Sequence, residues 1–279
     1  MSVLSIQSFV AYGHVGNSVA AFALQRLGVE VMPVPTVVLS NHAAYPTVRG
    51  QRLSPDTVHD VVRGLAERGA LTDCAAVLSG YLGDAALGAT VLDAVAEARA
   101  ANPRALYCCD PVMGEADKGL YVSEAIAGFF RDAAIPAADI ATPNAFEAGR
   151  LTGVDTTTLD GARAAAAALL RSGPDKVAIT SLRHEPDAVG VLLADRHDAW
   201  LVSTPLIEGH RSGTGDLFAA LLLGHLLLGR PLSEAGALSV ASIHGVLRRT
   251  LELGRAELAL VAAQDELAAP SRRVEAVRL

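Results

Sequence analysis

Residues 209–224, GHRSGTGDLFAALLLG, join a glycine-rich turn directly to an apolar helical stretch. Gly213 and Gly215 allow the backbone to bend tightly and to bring its N–H groups close to a ligand. A helix that begins near Asp216 adds partial positive charge at the same place. The segment therefore predicts an anion-binding turn. In this turn Asp216 would accept a proton from an attacking hydroxyl while the amides hold the charge of a phosphoryl group.

The same segment also has a purely structural interpretation. Asp is among the preferred residues at helix N-caps, and short glycine motifs occur in many ordinary turns. On this segment alone a helix cap is the simpler interpretation of Asp216. The functional hypothesis therefore depends on the rest of the chain.

Composition excludes several classes of protein. The chain has 279 residues, of which 51% are hydrophobic, and this is enough for a substantial core. The formal net charge is −7 and basic residues occur at most in short runs, so neither a nucleic-acid surface nor an anionic-membrane surface is indicated. The three cysteines form no Cys-x-x-Cys pattern, which predicts neither a disulfide framework nor a zinc site and favours a reducing compartment.

The sequence gives no sign of export or of membrane insertion. Residues 1–9 lack the basic start and the long apolar stretch of a signal peptide, and the apolar run at 217–228 is too short to span a bilayer. We therefore expect a cytoplasmic location. The chain has two lysines, Lys118 and Lys176, and no Gly-x-x-x-x-Gly-Lys-Ser/Thr loop, so a bound nucleotide would need another phosphate cradle, such as the turn at 213–215.

Apolar runs alternate with segments of helical periodicity along most of the chain. Strands are predicted at residues 3–8, 29–38, 75–78, 105–109, 139–141 and 176–180, and helices at 18–27, 54–68, 84–100, 123–133, 159–171, 217–228, 232–245 and 255–267. This alternation predicts an α/β fold with a mainly parallel sheet and helices on both faces. With no linker, repeat or low-complexity tract, we expect a single domain over 1–279.

Two segments depart from this alternation. Pro33 and Pro35 interrupt the second run, which favours an edge strand or an irregular extended segment, and residues 40–55 after it predict a flap or a surface hairpin. Residues 188–205 contain two short apolar runs around a polar turn, which predicts a β-hairpin.

Polar residues follow five of the predicted strands where each strand ends. They are Ser8, Ser79-Gly80-Tyr81, Asp110-Pro111, Thr142-Pro143-Asn144 and Thr180-Ser181. Each of these residues also suits an ordinary turn. In an open α/β sheet, however, the carboxyl ends of the strands border one crevice, and ligands bind there. Five such groups together favour a binding site.

These motifs resemble a known family. SIQSFVAYGHVGN, SNH, SGYLGD, CDPVMG, TPNAFEA and SGTGDLFAALLLG occur in the same order and at similar spacing as in the bacterial pyridoxal kinases of the ribokinase-like superfamily. The resemblance runs from about residue 3 to about residue 267. It implies a three-layer α/β/α fold and a homodimer. It also implies transfer of the γ-phosphate of ATP to the 5′-hydroxymethyl group of pyridoxal in vitamin B6 salvage.

The resemblance also implies a role for each matching residue. Catalytic roles fall to Asp216, Gly213, Thr214 and Gly215. Contacts with pyridoxal fall to Ser8, Ala43, Ala44, Tyr81 and Asp216. Contacts with ATP fall to Asp110, Thr142, Asn144, Glu147, Thr180, Gly209, His210, Arg211 and Ser212. Contacts with Mg²⁺ fall to Asp110, Glu147 and Glu115, and a monovalent cation is left as an open alternative.

Physical chemistry adds two expectations. An Asp at a helix N-terminus should have a low pKa, so Asp216 would act late, as bond formation advances. Asp110 and Glu147 would repel nucleotide phosphates unless a divalent cation accompanied them. The chain also departs from the family at one place: Ala43-Ala44 stand after Ser40-Asn41-His42, where pyridoxal kinases tend to carry a threonine or a similar polar residue. The departure puts the preference for pyridoxal in question.

Three other functions remain in competition. A kinase for hydroxymethylpyrimidine and its phosphate would use the same fold on a similarly flat alcohol. A catalytically weak binder of B6 vitamers would not need Asp216 opposite an anion hole. A pyridoxal-phosphate-dependent enzyme would need a well-placed lysine, and neither Lys118 nor Lys176 suits that role. The motifs favour pyridoxal kinase over these three functions.

Overall fold

The computed structural model describes residues 1–209 and 211–279. Its strands are β1 (Ser2–Val10), β2 (Glu30–Leu39), β3 (Gly50–Arg52), β4 (Cys74–Ser79), β5 (Leu106–Cys109), β6 (Gly114–Glu115), β7 (Gly119–Leu120), β8 (Ile140–Ala141), β9 (Lys176–Glu185), β10 (Ala188–Asp195), β11 (Ala199–Pro205) and β12 (Ala276–Arg278). Its helices are α1 (Asn17–Arg26), α2 (Pro55–Glu67), α3 (Leu87–Ala101), α4 (Glu124–Phe129), α5 (Ile135–Ala137), α6 (Ala145–Thr152), α7 (Leu159–Ser172), α8 (Thr214–Leu227), α9 (Leu232–Glu252) and α10 (Gln264–Ala268).

Ten strands form one sheet in the order β12-β11-β10-β9-β8-β5-β4-β1-β2-β3. The six strands from β9 to β2 run parallel, as the alternating pattern predicts, and antiparallel strands flank them at both edges. The carboxyl ends of the parallel strands therefore lie along one side of the sheet. This side is where the predicted site residues should meet.

Each face of the sheet carries its own apolar core. Successive residues of a strand point to opposite faces, so Leu4 belongs to the core that contains residues of α2, α3 and α7, whereas Val3 belongs to the core that contains residues of α1, α8 and α9. Helix α8 is buried from Leu217 to His225, in keeping with a helix that is apolar on every side. Its N-terminus is therefore held firmly at the carboxyl edge of the sheet.

The predicted elements correspond closely to the observed ones, with informative differences. Strand β2 is continuous, so the predicted alternative of an irregular extended segment is wrong. Strand β3 pairs only with Val37–Leu39, so β2 is the edge strand of the sheet at Pro33 and Pro35, where a missing N–H is tolerated. Residues 40–49 connect β2 to β3, which gives the surface hairpin that is one of the two predicted alternatives, and the hairpin predicted over 188–205 is present.

The helix predicted at 255–267 is wrong over most of its length. Only α10, at its end, is helical, and residues 255–263 form turns in which the Ala259 N–H donates to the Thr250 hydroxyl at 2.9 Å. Leu258 and Leu260 are buried against α1 and α8 by this path. Tertiary packing has thus overridden the apolar periodicity, and the turn brings Glu257 towards the first loop of the chain.

Candidate active site

Asp216 is the third residue of α8, and its position excludes the simple helix-cap interpretation. The N-cap is Gly213, with φ of 90°, and no side-chain cap is observed among the described residues. The backbone N–H of Gly16 donates a hydrogen bond to the Asp216 carboxylate. Asp216 is therefore held by the loop after β1, within the carboxyl-edge crevice.

Two glycine positions allow the loops around Asp216 to approach closely. A side chain at Gly213 would overlap the carbonyl oxygen of His14, and one at Gly16 would overlap the hydroxyl and the carbonyl of Ser8. Both glycines have positive φ, which favours glycine over other residues. The anion turn therefore packs directly on the 13–16 loop, and the buried Ser8 lies beside the residue that binds Asp216.

The pKa of Asp216 is raised by burial, and the hydrogen bond from Gly16 opposes this increase. The expectation of a low pKa was therefore wrong. The helix N-terminus favours the charged form, but removal of water from the carboxylate outweighs it. A raised pKa makes Asp216 a stronger base than an exposed aspartate.

Asp110 lies in the same crevice at the end of β5. It is 4% exposed, and its Oδ1 accepts a hydrogen bond from the Thr142 hydroxyl at 3.0 Å. Its buried Oδ2 has no hydrogen-bond partner among the described residues. Burial first, and then the negative charges of Glu147 and Asp216, hold the pKa of Asp110 well above its ordinary value.

Glu147 belongs to a capping box at the start of α6. Its Oε2 accepts from the Asn144 N–H at 2.9 Å, while Asn144 Oδ1 accepts from the Glu147 N–H at 2.9 Å. Its Oε1 accepts from the Met113 N–H, also at 2.9 Å, and from the Gly114 N–H at 3.4 Å. Burial raises the pKa of Glu147 to about 7, although these backbone donors lower it.

The buried carboxylates suit a cation, although no complete metal cage is present. No group of three or more His, Cys, Asp or Glu side chains is arranged to hold a metal within residues 1–209 and 211–279. The unpaired Oδ2 of Asp110 is nevertheless the kind of atom that a hard cation binds. Mg²⁺ is commonly held by one or two carboxylates together with substrate phosphates and water, so these residues fit such an ion.

Glu115 is placed differently from the other predicted metal residues. It lies in the β6–β7 hairpin, where its Oε1 is 2.7 Å from Lys118 Nζ. The side chain of Asn144 fastens this hairpin to α6, because its Nδ2 donates to the Gly114 carbonyl at 2.8 Å. Glu115 thus lies on a hairpin at the border of the crevice, where it forms an ion pair with Lys118.

The remaining predicted nucleotide residues lie along the same side of the sheet. The Thr180 N–H donates to the Pro143 carbonyl at 2.9 Å, and the next residue, Ser181, has a φ of 60° that is uncommon outside glycine. Strand β9 continues past this kink to Glu185, so Thr180 is not at its end as the sequence predicts. Gly209, Arg211 and Ser212 precede the anion turn, and the predicted residue His210 lies outside the described residues.

The predicted substrate residues come from one strand and two loops. Ser8 is buried inside β1, which continues to Val10, so it is not at the end of its strand as the sequence predicts. Tyr81 is half-buried after β4, and its carbonyl accepts from the Thr36 hydroxyl at 2.7 Å. Ala43 and Ala44 lie in an exposed turn of the β2–β3 connection.

Sequence reasoning missed two contributors to the site. Gly16 supplies the N–H that binds Asp216, and its signal was present in the glycine-rich AYGHVGN segment. Glu257 contacts His42 and Tyr45 from a distant part of the chain. No local motif marks Glu257, because its partners lie more than 200 positions away in sequence.

The fold and site define a class of protein before any relative is considered. The chain has a mainly parallel α/β/α sheet, a glycine turn at the N-terminus of a largely buried helix, an aspartate beside that turn and two buried carboxylates, Asp110 and Glu147, in the same crevice. This combination is that of a ribokinase-like small-molecule kinase. Comparisons with known proteins then narrow the class.

The family model described as phosphomethylpyrimidine kinase matches residues 22–260. The pyridoxal kinase PdxY of Rubrobacter xylanophilus is 53% identical over 98% of this chain and 96% of its own length, and that of Leifsonia xyli is 44% identical over the full length of both. The structure of pyridoxal kinase from Leishmania donovani with ADP and pyridoxamine superposes with a TM-score of 0.94 at 34% identity, covering 100% of this chain and 99% of its own. The chain therefore belongs to the pyridoxal kinase family.

Proposed function

We propose that this protein transfers the γ-phosphate of ATP to the 5′-hydroxymethyl group of pyridoxal, giving pyridoxal 5′-phosphate. Membership of the family supports the reaction. The observation that carries the proposal is the placement of Asp216, which has a raised pKa, beside Gly213 at the start of α8. A base and a set of backbone donors are thus available on either side of a transferring phosphoryl group.

The chain's own residues divide the chemistry between them. The Asp216 carboxylate orients the substrate hydroxyl and accepts its proton as the new P–O bond forms. The amides of residues 213–215 hold the negative charge that develops on the γ-phosphoryl oxygens. Because phosphoryl transfer depends mainly on positioning and charge neutralisation, one base is sufficient.

The substrate and the nucleotide approach from opposite halves of the crevice. Ser8, Tyr81 and the turn with Ala43 and Ala44 border the substrate half, which β1, β2 and β4 provide. The nucleotide half would be formed by Thr142, Asn144, Thr180, Gly209, Arg211 and Ser212, and His210, which lies outside the described residues, is assigned to it from the family resemblance alone. Asp216 and Thr214 would act between the two halves.

Mg²⁺ is part of the proposal, and it would neutralise charge on the ATP phosphates. Asp110 would bind it directly through Oδ2, whose lack of a partner among the described residues supports this role. Both Glu147 oxygens already accept backbone hydrogen bonds. Glu147 would therefore act on Mg²⁺ through its negative charge and through a bridging water more readily than by a direct bond to the ion. Glu115 would contribute from the hairpin, and a monovalent cation remains an open addition.

Three further features belong to the same proposal. A single domain over 1–279 is supported by a sheet whose strands extend from Ser2 to Arg278. A homodimer and a cytoplasmic location follow from the family resemblance and from the composition. No helix in the described part of the chain is long and apolar enough to cross a membrane.

The direct test is formation of pyridoxal 5′-phosphate from pyridoxal and ATP by the purified protein. We expect turnover that stops when EDTA removes divalent cations and returns when Mg²⁺ is added. Absence of turnover in the presence of Mg²⁺ would contradict the proposal.

A second candidate is phosphorylation of hydroxymethylpyrimidine or its phosphate, which the description of the matching family model favours. The substrate is also a flat heteroaromatic alcohol, and the same base and anion turn would serve it. A higher kcat/KM for the pyrimidine than for pyridoxal would select this candidate.

A further inference from the structure

Glu257 joins two loops that border the substrate half of the crevice. Its Oε1 lies 2.9 Å from Nε2 of His42 and accepts a hydrogen bond from the Tyr45 hydroxyl at 2.6 Å. Its carboxylate also receives a backbone hydrogen bond from His14. The side chain is only 14% exposed, so these contacts are largely shielded from water.

The first of these loops supports the catalytic residues. A side chain at Gly13 would lie 2.5 Å from Glu257 Oε2, so the carboxylate packs directly on the backbone there. Three residues further on, Gly16 donates to Asp216, and the His14 carbonyl contacts Gly213. Glu257 therefore supports the far end of the loop that holds the base and the anion turn.

The second loop is the turn that carries Ala43 and Ala44. His42 and Tyr45 flank these two alanines, and both bind the same Glu257 oxygen. Their rings also pack together with centroids 4.9 Å apart, and Tyr12 of the first loop packs edge-on against Tyr45 at 5.9 Å. The exposed alanine turn is thus held at both ends.

The hydrogen bonds explain the charge state of this carboxylate. Burial alone would raise the pKa of Glu257, but hydrogen bonds from Tyr45 and His42 more than offset this and lower the pKa. Glu257 is therefore the charged acceptor in hydrogen bonds that are stronger than neutral ones. The Tyr45 pKa is raised in return, so its hydroxyl stays protonated and remains a donor.

We propose that Glu257 is a positioning residue for the acceptor substrate, because it fastens the 42–45 turn to the 13–16 loop. The inference rests on the proposed function, since it assumes that pyridoxal binds in this half of the crevice. The nucleotide half is built on β5, β8 and β9, which Glu257 does not contact. Loss of Glu257 should therefore weaken binding of the alcohol and leave binding of ATP almost unchanged.

The test compares Glu257→Ala, Glu257→Gln and Tyr45→Phe in the full-length protein with ATP and pyridoxal. We expect Glu257→Ala to raise KM for pyridoxal about tenfold or more, which is the effect of losing a charge-assisted hydrogen bond. The KM for ATP should stay within about twofold of the wild-type value. Glu257→Gln and Tyr45→Phe should raise KM for pyridoxal by less. Tyr45→Phe should have little further effect in the Glu257→Ala background, since the two residues act together.

Glu252→Gln provides the matched control. Glu252 is an exposed carboxylate at the end of α9, paired with Arg248 and Arg249. Its substitution should leave the KM for pyridoxal and the KM for ATP unchanged. Equal increases in both KM values, or none in any of the three variants, would overturn the inference. Additive effects of Tyr45→Phe and Glu257→Ala would also overturn it.

A readout independent of turnover separates this inference from the proposed function. Arg49 is exposed close to the 42–45 turn, so trypsin reports on how firmly the loop is held. We expect faster cleavage after Arg49 in Glu257→Ala than in the wild type or Glu252→Gln. Equal cleavage rates would contradict the fastening role, whereas wild-type protein without kinase activity would contradict the proposed function.

Discussion

The Gly16 N–H donates to the Asp216 carboxylate, so the first loop of the chain holds a side chain of the first turn of α8. This contact joins residues 200 positions apart and fixes the proposed base beside the Gly213 turn. It also gives the half-buried carboxylate a hydrogen-bond donor, which offsets part of the cost of burying its charge. The proposed kinase mechanism depends on this relationship.

Asp216→Asn should remove the base while preserving most of the local packing. We expect kcat to fall by about 10²–10⁴-fold, the usual contribution of general base catalysis. Binding of ATP should be nearly unchanged, since in the proposed mechanism Asp216 faces the acceptor hydroxyl. Steady-state kinetics and ATP titration check both statements, and a kcat within about threefold of the wild type would exclude Asp216 as the base.

Asp110→Asn should stabilise the ligand-free protein at alkaline pH and impair catalysis. Folding raises the pKa of Asp110, so the folded protein retains a proton that the unfolded chain releases. The stability from that proton is present at acidic pH and is lost as pH rises through the raised pKa. At pH 8, far above the ordinary pKa of an aspartate, the folded protein must either hold that proton or bury a charge, and the amide removes this cost.

We expect Asp110→Asn to raise Tm at pH 8 by a few degrees, which corresponds to about 1 kcal/mol or more, and to raise it much less at pH 4. Thermal unfolding without ATP or Mg²⁺ measures this difference. Asp93→Asn, at an exposed position of α3, is the matched control and should change Tm at pH 8 by less than Asp110→Asn does. A lower Tm for Asp110→Asn at pH 8 would contradict the account.

Gly213→Ala should destabilise the protein and distort the anion turn. Gly213 has a φ of 90°, and the added methyl group would overlap the His14 carbonyl. We expect a loss of about 1–3 kcal/mol in the free energy of unfolding together with a large fall in kcat. Chemical denaturation and kinetics test the two effects.

Gly215→Ala is the structural comparison for that variant. An added methyl group at Gly215 would meet no atom within 4 Å, and its φ is not positive. Its free energy of unfolding should stay level or rise slightly, since alanine favours a helix. Equal destabilisation by the two substitutions would show that the close approach at Gly213 is not the cause.

Ala43→Thr tests the departure from the family pattern. The side chain lies in the exposed turn between His42 and Tyr45, so a hydroxyl can be added there without disturbing the core. If a polar contact with pyridoxal is missing, kcat/KM for pyridoxal should rise by about threefold to tenfold, the value of one ordinary hydrogen bond. An unchanged kcat/KM would show that Ala43 does not limit binding.

The order of elements and the residues at the strand ends could be predicted from the sequence because both depend on local patterns. Alternating apolar periodicity predicted the parallel sheet, and Asp110 and Thr142 followed its strands as expected. The capping box of Asn144 and Glu147 is local too, since its two residues are three positions apart, but the pattern of apolar runs did not predict the helix α6 that it begins. The features that were predicted need no knowledge of tertiary contacts.

Other features depended on contacts that no local pattern contains. The raised pKa of Asp216 reflects its burial in the folded protein, whereas the sequence showed only a helix N-terminus. The turn at 255–263 has helical periodicity, but burial of Leu258 and Leu260 determines its path. Glu257 reaches the site for the same reason, and sequence spacing alone could not predict it.

The most direct test of the central claim is a comparison of kcat/KM for pyridoxal, pyridoxine, pyridoxamine and hydroxymethylpyrimidine with Mg²⁺ and ATP. The account predicts turnover of B6 vitamers, with pyridoxal preferred over hydroxymethylpyrimidine. Absence of turnover on all four alcohols, or a clear preference for the pyrimidine, would contradict it.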